Sequence, residues 1–189
     1  SSNIATGFGR KDKSIFFVTN QREGAAELAM ASMDPAVETA FVRSMGSWDI
    51  THFVLSPDRR RGAFVANEAG ISRLYLFDAE RLTIKPVNRI PVGVISGLRF
   101  SPDSRKLGMT LNSAQSPSDA YVLNLGSRLL AAEKLTRWTF SEVGGLDTDK
   151  FSEPISITYP SPVEGQDDLD IPAFVYLPRG RGPFPVIIH

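Results

Sequence analysis

The sequence predicts a mainly β fold: a partial β-propeller of about three four-stranded blades, followed by a β-rich segment of another kind. Three observations carry this. Residues 50–67 (ITHFVLSPDRRRGAFVAN) and 95–112 (ISGLRFSPDSRKLGMTLN) repeat at a constant offset of 45. They share Ile50/Ile95, Ser56/Ser101, Pro57/Pro102, Asp58/Asp103, Arg60/Arg105 and Asn67/Asn112 without a gap. Each copy has the same order of short strands and turns, at a period typical of propeller blades. The repeat then stops near Trp138, and a different β-rich pattern follows.

In the two clear copies the first strands are His52–Leu55 and Gly97–Phe100, each ending at Ser-Pro-Asp. Proline presets φ for a turn there, and Ser and Asp side chains bond the neighbouring backbone. Second strands follow at Gly62–Asn67 and Leu107–Asn112, third strands at Arg73–Asp78 and Ala120–Asn124, and fourth strands at Thr83–Val87 and Glu133–Trp138. Continuously apolar runs mark strands buried on both faces, and alternating runs mark half-buried ones. A weaker copy precedes them: Phe17-Val18-Thr19-Asn20 matches Phe64-Val65-Ala66-Asn67, with Gly9–Lys13 in place of the Ser-Pro-Asp turn. Its second half, EGAAELAMASMDPAVETAFV, favours helix by propensity, with Asp34-Pro35 as cap and first position of another helix. The repeat frame assigns strand, turn and strand instead, because pairing in a sheet overrides propensity.

Residues 139–153 (TFSEVGGLDTDKFSE) are polar, contain a Gly-Gly pair and read as a linker. Beyond it, PISITYP at 154–160, an acidic loop SPVEGQDDLD, IPAFVYLP at 171–178 and PFPVIIH at 183–189 read as a hairpin followed by one buried strand.

Composition narrows the chemistry. At roughly 100–200 residues per domain, 189 residues make one domain and part of another, or two small ones. Apolar content of 42% is that of a folded chain, and 21 basic against 21 acidic residues give no electrostatic reason to expect nucleic acid or an anionic membrane. The absence of cysteine excludes disulfides, thiolate metal sites and a cysteine nucleophile. No apolar run reaches the ~18–20 residues of a membrane-spanning helix. The start SSNIATGFGR is not a signal peptide and has no initiator methionine, so the natural N-terminus is expected to be missing.

No serine stands in a G-x-S-x-G elbow; Gly70-Ile71-Ser72-Arg73-Leu74 is the nearest miss. Two histidines 137 positions apart fit no metal spacing, and Asp167, Asp168 and Asp170 lack the rest of a calcium loop. Gly7-Phe8-Gly9 lacks the third glycine of a dinucleotide fingerprint. No cofactor and no metal is therefore expected. His52 reads as a strand-start residue near the propeller axis or a satisfied core histidine. Arg59-Arg60-Arg61 reads as solvated surface, Tyr75 and Tyr121 as equivalent packing residues, and Trp48 and Trp138 as packing near blade ends.

Taken together, the Ser-Pro-Asp turns at 56–58 and 101–103, LTRWTFSEVGGLDTDKFSEP at 135–154, ITYPSPVEGQDDLDIPAFVYLP at 157–178 and PFPVIIH at 183–189 resemble the prolyl oligopeptidase family of serine hydrolases, in its acylaminoacyl-peptidase-like and dipeptidyl-peptidase-like branch. The resemblance covers nearly the whole chain. Family members commonly place a short Asp-Gly turn in the junction; here Glu164–Asp168 make a longer loop. The resemblance implies residues 1–138 as the last three blades of a propeller and 139–153 as a linker. Residues 154–189 would then begin an α/β-hydrolase catalytic domain, with its N-terminal hairpin and strand. It implies a Ser-Asp-His triad located wholly after His189, and therefore no catalytic residue in this chain. His189 itself would begin an oxyanion-hole loop of the His-Gly-Gly type, a supporting position.

The implied partners are a short peptide substrate of the parent enzyme and the remainder of the same protein, its missing blades and catalytic domain; nucleic acid and membrane are not implied. Three blades do not close a ring, and an open propeller exposes blade flanks. The chain is thus expected to be an internal piece of a larger enzyme and not competent by itself. A stand-alone propeller acting as an interaction module is the alternative, and residues 154–189 discriminate between them. A pseudo-enzyme with a degraded triad is a third reading.

Overall fold

The computed structural model describes residues 3–21, 25–42, 48–162 and 170–188. Three four-stranded antiparallel sheets follow one another along the chain. The first contains β1 (Asn3–Phe8), β2 (Ser14–Thr19), β3 (Glu27–Ser32) and β4 (Ala40–Phe41). The second contains β5 (Asp49–Leu55), β6 (Arg61–Glu68), β7 (Ile71–Asp78) and β8 (Thr83–Pro86). The third contains β9 (Gly93–Phe100), β10 (Lys106–Ser113), β11 (Ser116–Leu125) and β12 (Ala132–Arg137). Each strand pairs only with its neighbours in sequence, which is the meander of a propeller blade. A separate two-stranded hairpin, β13 (Ile155–Pro160) and β14 (Asp170–Val175), comes last.

The repeat is kept in backbone geometry more faithfully than in residue type. The first turn of each blade is closed by the same bond: Gly9 N–H to Ser14 carbonyl at 2.8 Å, Ser56 to Arg61 at 2.9 Å, and Ser101 to Lys106 at 2.9 Å. The fourth residue of each turn has a left-handed backbone, Asp12 at φ 53°, Arg59 at 55° and Ser104 at 60°. Gly9–Lys13 therefore does replace Ser-Pro-Asp. In the other two turns the serine hydroxyl lies 2.6 Å from the aspartate (Ser56–Asp58, Ser101–Asp103) and accepts the strand's first N–H. Extra residues bulge the first strands at Thr6 and Thr51, 45 positions apart, and their hydroxyls reach the Phe16 and Val65 carbonyls across the pair.

Burial explains the apolar runs. In β6, Ala63 and Val65 face the third blade, in a core with Leu74, Leu76, Ile95, Leu107, Met109 and Leu123. Phe64 and Ala66 face the first, with Phe16, Leu28, Val42 and Ile50. A strand sandwiched between two cores must be apolar at every position. Phe16 and Phe77 meet edge to face at 5.4 Å, with Phe53 beside them.

The repeat frame, not helix propensity, decides the first blade's second half: Glu27–Ser32 is held between β2 and β4. Asp34-Pro35 opens a turn, its carboxylate taking the Ala36 N–H at 3.0 Å, and no helix begins there. Three expectations are corrected. Arg61 is buried, not solvated surface, because the third blade packs over it and Gly126 carbonyl sits 3.4 Å from its guanidinium. Trp138 is 66% exposed, although its backbone N–H joins the blade through the Ala120 carbonyl at 2.8 Å. Residues 184–188 form no strand, because none of the described strands pairs with them; Val186, Ile187 and Ile188 project freely.

Candidate domain-junction site

The chain passes from the third blade to the hairpin through residues 138–154, and one carboxylate organises the passage. Asp119, 1% exposed in β11, accepts hydrogen bonds from Ser116 Oγ at 2.7 Å, Thr139 Oγ1 at 2.7 Å, Ser141 Oγ at 3.0 Å, Ser141 N–H at 3.0 Å and the Arg137 guanidinium. Burial alone would raise its pKa; the hydrogen bonds from Ser116, Thr139, Arg137 and Ser141 outweigh it and hold the carboxyl far below the usual carboxylate range. Arg137 also lies over the Phe140 ring at 4.6 Å. Further along, Gln115 Nε2 reaches Phe151 carbonyl at 3.4 Å, Ser152 Oγ donates to Leu177 carbonyl at 2.6 Å, and Arg179 donates to Asp149 carbonyl at 2.7 Å. The linker is thus strapped at both ends, with Gly144 and Gly145, both at positive φ, open between.

Register divides the hairpin into two faces. Ile155 opposite Val175, Ile157 opposite Ala173 and Tyr159 opposite Ile171 make one apolar face. Phe174 lies on the other and meets the β6–β7 turn at Gly70. Gly70 has φ +86°, and a Cβ there would stand 2.9 Å from the Phe174 ring, so the turn's left-handed backbone and the ring's approach both require glycine. A cleft of about 240 Å³ opens beside this contact. Ile71, Val92 and Val94 form its propeller wall, Asn112 and Ser113 its polar ledge, and Phe174 and Tyr176 its hairpin wall.

Of the residues singled out in the sequence, His52 is exposed in β5, its ring 3.3 Å from Thr51 Oγ1. His189 and the loop 164–168 lie outside the described residues. Ser72 pairs with Asn67 inside the second blade, not at a strand-to-helix elbow. Among the described residues no three His, Asp or Glu side chains gather as metal ligands, and no helix is long and apolar enough to cross a membrane. Tyr75 stacks on Phe64 at 5.1 Å and hydrogen-bonds Glu68; burial first, then that bond, pushes its phenol up to about 12. Asp119 was missed in the sequence. It fell in the loop just before the strand read at Ala120–Asn124, whereas β11 begins at Ser116, and its partners Arg137, Thr139 and Ser141 fall in the junction stretch the resemblance quoted.

No protein-family model matches the chain, and no curated protein sequence does. Solved structures do. Prolyl oligopeptidase B from Galerina marginata, in a variant bound to a 35mer hydrolysis and macrocyclisation substrate, superposes with a TM-score of 0.72 at 13% identity, over 92% of this chain and 23% of that one. Its apo form gives 0.70 at 13% identity, with the same coverage. A prolyl endopeptidase gives 0.69 at 14% identity, over 91% of this chain and 24% of that one. The chain spans about a quarter of these enzymes' length, and across that span it has the fold of a segment of prolyl oligopeptidase.

Proposed function

We propose that this chain is the propeller and domain-junction segment of a serine peptidase of the prolyl oligopeptidase family. The parent hydrolyses short peptides with a Ser-Asp-His triad that follows this segment, and the segment is not catalytically competent by itself. Residues 1–138 are the partial propeller, 139–153 the linker, and 154–189 the start of the α/β-hydrolase domain, with His189 beginning the oxyanion loop. The single observation that carries this reading is the continuity of three blades, a clamped linker and a two-faced hairpin in one chain of prolyl oligopeptidase fold. A propeller that acted alone as an interaction module has no use for that hairpin, whose apolar face Ile155, Ile157 and Tyr159 is left exposed.

The test uses the full-length protein. A fluorophosphonate probe is expected to label one serine beyond His189, and short proline-containing peptides to be cleaved with loss of activity on labelling. Absence of both labelling and cleavage would favour a pseudo-enzyme with a degraded triad or a non-catalytic module.

A further inference from the structure

The cleft between the second and third blades and the hairpin has features of a binding site for one residue. At about 240 Å³ it falls just below the size of a site for a whole small-molecule ligand and suits one large side chain. No charged side chain lines it. Val94 is 59% exposed, and Val92, Phe174 and Tyr176 also present apolar surface to solvent around it. Apolar side chains gathered from three separate segments into a concavity mark an interaction site more than scattered exposed residues do.

The occupant is argued from the walls. Val94 lies at the start of β9, an edge strand of its sheet that pairs only with β10 among the described residues, so a chain seated there has an open strand edge beside it. Such an edge offers main-chain hydrogen bonds to an extended peptide, while a neighbouring pocket reads one of its side chains. A narrow cleft suits a flexible segment better than the broad face of a second copy. We infer that this cleft is a subsite for an uncharged, apolar side chain of an extended peptide. The inference rests on the reading of the parent as a peptidase and names what its propeller side contributes to selecting peptides.

Two fluorescein-labelled hexapeptides, identical except for leucine or aspartate at one central position, test it by fluorescence anisotropy with the full-length protein. Burying the leucine side chain is expected to favour it about tenfold or more. Val94→Asp is expected to abolish the preference, and Val37→Asp, an exposed apolar position in the first blade outside the cleft, to retain it. No preference in the unaltered protein, or a preference unchanged by Val94→Asp, overturns the inference. So does a concentration-dependent mass lost in Val94→Asp without peptide preference, which would make the occupant a second copy. A lowered Tm of Val94→Asp, again without preference, would assign the cleft to another part of the same protein. Fluorophosphonate labelling of the same samples keeps the two readings apart. Labelling without peptide preference removes the subsite alone; preference without labelling removes the hydrolase reading alone.

Discussion

The hydroxyl oxygen of Ser104 accepts the backbone N–H of Asp58 at 3.2 Å, so the turn of one blade completes the hydrogen bonding of the turn before it. Ser104 is buried and left-handed, at φ 60°. Ser104→Ala leaves the Asp58 N–H without its partner while keeping the backbone strained. Its expected cost is about 1–2 kcal/mol. Ser104→Gly loses the same bond but relaxes the backbone, and is expected to cost less. Denaturant unfolding of the two variants measures the order.

Arg61 invites the opposite expectation. Its guanidinium is buried against a single carbonyl at 3.4 Å, with Nε unpartnered. Burial lowers its pKa more than the attraction of Asp58 restores it. Exchanging a poorly partnered buried cation for an apolar side chain of similar length is often neutral or stabilising. Arg61→Met is expected to leave stability within about 1 kcal/mol or raise it, as read by Tm.

The aromatic contact between the first two blades is a matter of packing. Phe77→Ala is expected to cost about 3–5 kcal/mol, as large-to-small changes in full cores do. A double-mutant cycle of Phe77 with Phe16 should return a coupling of about 0.5–1.5 kcal/mol for the edge-to-face pair. A coupling near zero would mean that the ring pair adds nothing beyond the burial of each side chain.

Asp119 gives the junction a pH signature. Its folded pKa is depressed, so its stabilisation is complete above the unfolded carboxylate value of ~3.9 and is lost as pH falls from there toward the folded one. Asp119→Asn places an amide among donors and is expected to lower Tm by several degrees at neutral pH. The two Tm curves should converge in acid. Trypsin should also cut faster after Arg137 in the variant, because residues 137–141 lose their anchor.

At the other end of the scale, Tyr75 has its folded pKa raised to about 12. Its contribution to stability is complete below the unfolded phenol value of ~10 and is lost as pH rises through the folded one. A phenolate absorbance titration is expected to show one late step that Tyr75→Phe removes.

The blades were legible because a 45-residue period with Ser-Pro-Asp turns writes both strand order and turn chemistry into local sequence. The first blade was legible only through the frame: Glu27–Ser32 has helical propensity, and its strand is imposed by neighbours on both sides. Arg61 was misread because its burial is set by the next blade, through a contact with Gly126 that no local pattern encodes. Asp119 escaped for the same reason, its donors lying up to 22 positions away. The cleft likewise joins residues 70–71, 92–94 and 174–176, which only the folded chain brings together. PFPVIIH was read as a strand from its apolar, turn-bounded pattern and from the resemblance, but a strand also needs a partner, and no described strand pairs with residues 184–188.

Because within each described blade every strand after the first pairs with the one made just before it, none of the three blades waits for distant sequence. At synthesis rates of roughly 5–20 residues per second, a 45-residue blade is complete within seconds of leaving the ribosome and can serve as the template against which the next one docks. Birth order and spatial order coincide. Ribosome-stalled nascent chains ending after the third blade would thus carry a preformed surface before any junction residue has emerged.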